Sequence, residues 1–258
     1  MKKFDKRRSS RPVYGPVAAA AALFVTVAAL VVGGSMLWFR RNAWPEDFAE
    51  RLIVQAYGSL FVAALLLGVG MLWFFLRRRR RDIGRLQEII DDFRDWNSLE
   101  AAYRIAGCIR RLNRFGVGQM DLSRCTLRHM HLREAGLAGA RMVHTRLRGA
   151  VLSMADLHDA DLNGADLRGA FLWKSRLSGA ILSFADLRGA NLEHADCRGA
   201  LLQGVRLEGA RVGGCDLTGV QGLEPEQLSG TVGWEEAKLD PDLARRMESR
   251  RQKPQDLG

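Results

Sequence analysis

The sequence is poor in the residues that build sites. Its four cysteines, Cys108, Cys125, Cys197 and Cys215, lie far apart and form no Cys-x-x-Cys pair. That spacing argues against a disulfide framework and against a thiolate zinc site. Of the histidines at 129, 131, 144, 158 and 194, only His129 and His131 are close, and no third ligand accompanies them. No glycine-rich phosphate loop precedes a helix. No metal and no cofactor are therefore expected. An excess of either charge is missing from residues 116–258 as well. The net charge is +10, and residues 1–115, with 20 basic and 10 acidic side chains, supply all of it. This excludes a uniformly basic nucleic-acid binder, and no nucleic-acid partner is expected.

Charge is absent altogether from two runs. Val17–Phe39 is 23 residues long and Leu52–Leu76 is 25, with Gln55 as the one strongly polar side chain. As helices they would each reach about 35 Å, against a hydrocarbon core of about 30 Å. The sequence thus predicts transmembrane helices at 17–39 and 52–76, after a basic N-terminus at 1–16 and joined by a loop at 40–51. Trp38 and Trp73 fall near span ends, where their rings suit the interface. The first run is too long, and ends too bulkily in Met36-Leu37-Trp38-Phe39, for a signal peptide. The positive-inside rule places both termini in the cytoplasm and the anchor in the inner or plasma membrane. Arg77, Arg78, Arg79, Arg80 and Arg81 follow the second run, as a stop-transfer cluster able to attract anionic lipid. The loop is too short for a re-entrant pore, so no channel is expected. Small pairs such as Ala18/Ala22, Ala29/Gly33 and Ala64/Gly68 suit close packing of the spans, or a homodimer.

A helical connector is expected over 77–117. Ile83, Leu86, Ile90 and Phe93 step at helical spacing. Asn97, with Glu100 three residues on, looks like an N-cap. A second stripe then runs through Leu99, Ala102, Ile105 or Ala106, Ile109 and Leu112.

From Met120 the chain repeats every five residues. Of the twenty positions taken from Leu122 to Leu217, seventeen are Leu, and the others are Met142, Cys197 and Val212. Two residues before them, thirteen of twenty are Ala. Five residues turn a helix by about 500°, which scatters the leucines around it. On a straight strand an odd step alternates faces. Only a corner after every few residues buries them all, so the chain must coil around its own leucines. Two residues past the central position, Gly fills eight of ten places in the series 129, 139 to 219, but three of ten in the series 124, 134 to 214. The expectation is that alternate corners need positive φ, which implies an even number of sides, and four rather than two.

Units such as Ala155-Asp156-Leu157-His158-Asp159 and Ala165-Asp166-Leu167-Arg168-Gly169 resemble the pentapeptide repeat family. The resemblance implies a right-handed quadrilateral β-helix of 20 residues per coil, over 118–222. Twenty units would make five coils, about 24 Å tall at the strand spacing. Met120, Cys125, Met130 and Thr145 stand in Ala slots, so the first coil is expected to be distorted or capped. Residues 223–258 are read as a short helical cap, opened by Pro225, with a frayed tail from Arg245. The fold class is thus a two-span membrane anchor followed by an all-β solenoid.

Residues twenty apart should stack on the outside. Arg128, Arg146 and Arg148 then form a basic patch without acidic neighbours, whereas Asp166 and Asp186 offset Arg168 and Arg188. Val151, Met154, Phe171 and Trp173 gather outward on another side, with Ile181, Phe184 and Leu201 opposite. Such a patch is covered either by the chain's own ends or by a protein partner. Because Asp recurs with the repeat, no carboxylate pair stands out, and no enzyme is expected. The expected role is a membrane-anchored scaffold that presents the coil to a protein or anionic-lipid partner. One alternative is an assembly factor for transport or envelope synthesis acting through its spans. A DNA-mimic topoisomerase inhibitor, known in soluble members of the resembled family, would need an acidic coil. This one carries 13 basic and 11 acidic side chains over 116–222.

Overall fold

All twenty central positions of the period turn inward. The computed structural model describes residues 46–252 and, with gaps at 59, 61 and 62, side chains from Tyr57 to Arg250. The chain divides after Asp82 into two units, each described by itself.

The first unit contains most of a 47-residue helix, α1 (Glu46–Asp92). Leu, Ala and Met, good helix formers, make up about half of the stretch from Leu60 to Leu76, and the helix runs through Gly68 and Gly70 without a break. Most of the described side chains there are exposed, among them Leu66, Leu67, Trp73 and Phe74. Among the described residues no helix is long and apolar enough to cross a membrane. The expected run Val17–Phe39 lies outside them. The run Leu52–Leu76 lies within α1, its first five side chains being outside them too.

The second unit is built around the coil. The central residues from Leu122 to Leu217 are all at most 4% exposed, and those two places earlier, from Met120 to Cys215, at most 7%. Each buried leucine is worth about 1.5–3 kcal/mol relative to an exposed one. The residues between these two point outward and pair in parallel across twenty positions, as in Arg146↔Asp166↔Asp186. Four turns therefore separate paired residues, which makes the coil four-sided. One unit shows how the backbone is satisfied. Leu147 N–H donates to Asp166 O at 2.7 Å, Gly149 N–H to Arg168 O at 2.9 Å, and Asp166 N–H to Thr145 O at 3.0 Å. A turn bond from Ala150 N–H to Leu147 O, at 2.9 Å, closes the corner. The substitutions of the first coils do not distort it. Met120, Cys125 and Met130 are buried like the alanines, and Thr145 donates its hydroxyl to Leu122 O at 2.8 Å.

The corners correct one expectation. Positive φ occurs at every corner and not at alternate ones. All twenty third-turn residues from 124 to 219 adopt it: eleven glycines, and Arg124, His129, Glu134, His144, Met154, Asp159, Lys174, Phe184 and His194. The left-handed conformation costs a non-glycine residue about 1–2 kcal/mol, which the coil's ladder holds in place. Several glycines have a steric reason instead. His129, His144, Asp159, Phe184 and His194 lean over Gly149, Gly164, Gly179, Gly204 and Gly214, where an added Cβ would overlap them.

Helices close both ends. At the start, α2 (Leu99–Arg114) buries Ala102, Ile105, Ala106, Cys108, Ile109 and Leu112 in the same core as the first coil. Its N-cap is Ser98, whose Oγ accepts from Ala101 N–H at 3.1 Å, and not Asn97. Leu99, expected on the buried stripe, is 63% exposed. Leu86 and Ile90 of α1 join the core. Polar side chains take up the free edge of the first coil. The Asn113 amide both donates to Gly136 O, at 2.6 Å, and accepts from Gly136 N–H, at 3.0 Å. Gln87 Nε2 donates to Asp121 O at 3.0 Å, and Arg94 Nη1 to Ser123 O at 3.0 Å.

At the other end the ladder continues with a longer repeat, Arg211↔Val232 and then Asp216↔Lys238. Between these sits α3 (Pro225–Ser229), with Pro225 in its first turn, where the missing N–H is harmless. The tail is not frayed from Arg245. It forms α4 (Pro241–Gln252), because Leu243 and Met247 are buried, at 5% and 2% exposure, and Arg246 and Arg250 pair with Glu224 and Glu226.

Candidate functional site: outward patches of the coil

The inside of the coil is uniform, so any specificity lies in the residues that point out. Val151 and Phe171 are ladder partners on one side. Phe171 is 50% exposed and Met154 43%, while Val151 and Trp173 are half-buried. Trp173 lies under Lys174, with Nζ 4.4 Å from the ring centre, and Met154 Sδ accepts from Arg133 Nη2 at 3.5 Å. The patch is thus an apolar centre rimmed by Lys174 and by Arg133, which pairs with Glu134 at 3.3 Å. The connector and the C-terminal segment pack on the coil ends, which leaves Phe171 and Met154 exposed. Opposite, Ile181 and Leu201 are ladder partners, and Phe184 is 63% exposed beside them.

The basic side divides into two halves. Asp166 and Asp186 there, like Asp196 on the opposite side, each hold the arginine two residues on through paired bonds; Arg168 Nε and Nη2 both lie 2.8 Å from Asp166. Those arginine hydrogen bonds hold the three carboxyls below the usual carboxylate range, against the opposing effect of burial. Asp186 also faces Arg206 at 3.7 Å. Lower down, Arg128, Arg146 and Arg148 make no ion pair among the described residues. Arg146 Nη1 reaches only Arg124 O and Thr126 Oγ1, each at 3.4 Å. In the first unit, Arg77 lies over Trp73 at 4.8 Å, and Arg78, Arg80 and Arg81 are exposed.

The remaining titratable groups are dispersed. Among the described residues no three His, Cys, Asp or Glu side chains converge to hold a metal ion. Cys197 and Cys215 touch in the core at 3.7 Å; that sulfur contact, together with burial, raises the Cys197 thiol well above its ordinary value. Burial pushes the Cys125 thiol up to about 12. These are inert core sulfurs, not nucleophiles.

Sequence reasoning missed one exposed group on the connector: Trp96, Leu99 and Tyr103, at 58%, 63% and 60% exposure. Their spacing of three and four was a readable signal, but Leu99 was assigned to the inner stripe.

Among the described residues the solenoid has a leucine interior and no convergent cluster of titratable groups. The family model described as pentapeptide repeats matches residues 121–153, 155–193 and 180–219, in eight copies. Its repeat region places the chain in the pentapeptide repeat family, and no enzymatic family is indicated. Among solved structures it is similar to QnrB1, a plasmid-mediated fluoroquinolone resistance protein. The identity is 21%, over 50% of this chain and 67% of that one, with a TM-score of 0.33. HetL from Nostoc sp. strain PCC 7120, involved in heterocyst differentiation regulation, is 30% identical over 47% and 66%, at 0.25. A thylakoid-lumen pentapeptide repeat protein of Arabidopsis thaliana is 31% identical over 43% and 70%, at 0.22. The chain spans about two thirds of the length of these proteins, and TM-scores this low carry no argument about shape. No curated protein matches the sequence.

Proposed function

We propose that this protein is a membrane-anchored, non-enzymatic scaffold whose coil offers outward patches to a protein partner. The observation that carries the reading is the uncovered apolar centre at Phe171 and Met154, rimmed by Arg133 and Lys174, with a smaller apolar patch at Phe184 on the opposite side. An exposed aromatic cluster on a rigid face is the usual mark of a contact surface. The cationic rim favours a partner with acidic groups around an apolar anchor. The uncharged runs Val17–Phe39 and Leu52–Leu76, with Arg77–Arg81 behind them, support the anchor and a cytoplasmic coil. The near balance of charge over 116–222 disfavours duplex mimicry. The two-span assembly-factor reading has no separate observation in its favour.

The test is photo-crosslinking in cells from position 171 or 173, with position 163 as a control on another side, read by mass spectrometry. A band specific to 171 and 173 that contains another protein supports the scaffold. Crosslinks confined to this chain, or equal from 163, refute the patch. Extraction of the protein by carbonate or salt, without detergent, refutes the anchor.

A further inference from the structure

Helix α2 has two working faces. The inner one closes the coil. At about 100° per residue, Leu99, Tyr103, Arg110 and Arg114 fall within about 60° of one another on the opposite face. All four are exposed. Gly107 separates the apolar pair from the basic one. Arg111 is exposed nearby, and Trp96 stands just before the helix, its ring packed edge-on against Phe93 at 5.2 Å. Arg104 is tied to Glu100 at 2.8 Å, whereas Arg110, Arg111 and Arg114 make no ion pair among the described residues. The helix dipole accounts for cations in the last turn. It does not account for an exposed tryptophan, leucine and tyrosine in line with them.

We infer that the outer face of α2 rests on a bilayer of anionic phospholipid, with Trp96, Leu99 and Tyr103 at the level of the headgroups and Arg110, Arg111 and Arg114 against their phosphates. Three observations select this occupant. The unpaired guanidiniums complement anionic phosphate. The apolar group combines Trp and Tyr, whose rings favour the water–hydrocarbon boundary, with one Leu. Only fifteen positions separate Arg81, the end of the polybasic cluster, from Trp96. The inference rests on the anchoring proposed above and adds to it. The coil's own end cap would then lie on lipid by itself. Its three arginines should make the contact dependent on lipid charge and sensitive to salt.

The test uses the full chain in lipid nanodiscs. The native cysteines are all buried, so Tyr103→Cys, or Gln203→Cys on the exposed upper coil, takes an environment-sensitive fluorophore selectively. In discs containing phosphatidylglycerol, the label at 103 should shift to the blue. Lipid-borne quenchers should quench it at least about twofold more than the label at 203, as for a group at the headgroup boundary. In phosphatidylcholine alone, or after Arg110→Gln, Arg111→Gln and Arg114→Gln together, the difference should vanish. These residues are exposed, so the coil should remain folded, checked by unchanged circular dichroism. Equal responses at 103 and 203, or a response at 103 indifferent to lipid charge, overturn the inference and leave the anchor standing. A chain that separates from the discs removes the anchor, and this inference with it.

Discussion

Substituting Gly164 should destabilise the coil more than substituting Gly169, although the two sit in successive corners with φ of +63° and +61°. In both, alanine must adopt the left-handed conformation, at about 1–2 kcal/mol. The lower entropy of the unfolded chain returns about 0.4–1 kcal/mol of that. At Gly169 nothing lies within 4 Å of the new methyl, so this backbone cost is the whole effect. At Gly164 the methyl overlaps the His144 ring, which also sits 3.4 Å from Gly164 O. The ring must leave its rotamer, at about 0.5–1.5 kcal/mol more. For a unit of this size 1 kcal/mol moves the thermal midpoint by about 2–4 °C. Thermal unfolding of the detergent-solubilised chain should therefore show Gly164→Ala falling about 1–6 °C below Gly169→Ala. In a His144→Gly background the excess should disappear, and the two glycines should become equivalent. Equal midpoints in the native background, or an excess that survives His144→Gly, would refute the claim that a leaning side chain dictates the glycine above it.

Two other outcomes are expected. Asp166, Asp186 and Asp196 have carboxyls depressed first of all by their arginines. Their contribution is present above the unfolded value of about 3.9 and is lost as pH falls through the lower folded values. Thermal midpoints should hold to about pH 5 and fall below about pH 4, and an Asp166→Asn, Asp186→Asn chain should show a shallower acid fall; an unchanged slope would contradict the assignment. Asn113→Leu should strip Gly136 of both amide partners, destabilise the first coil by about 1–3 kcal/mol, and promote self-association visible by size-exclusion light scattering. An intact first coil by hydrogen exchange would show the amide to be dispensable.

The coil was legible in the sequence because its rule is local and absolute: any polar residue at a central position would be buried on all sides. The number of sides followed from glycine spacing, but by an argument only half right. Composition records where glycine is preferred, whereas the backbone demands positive φ at all twenty corners. Residues such as Lys174 and Phe184 pay that strain without leaving a mark in the pattern. The ends were less legible because they depend on contacts between distant segments. Asn113 meets Gly136 across 23 positions, and nothing about an asparagine near a helix end announces an edge to be covered. Met247 keeps α4 folded on the last coil, although the residues around it read as a charged tail. The outward patches were found because stacking at twenty residues is simple arithmetic. The face of α2 was missed because one leucine was placed on the wrong side of a helix.

The twenty-residue coil also ties sequence length to compass bearing. Inserting five residues in the repeat would leave every leucine inward yet turn all that follows by a quarter of a revolution. Inserting twenty would keep every heading and raise the upper part by about 4.8 Å. The side on which Phe171 faces, measured from the foot at α2, is therefore set by a residue count. A partner that reads that heading would tolerate a whole added storey far better than a single added unit.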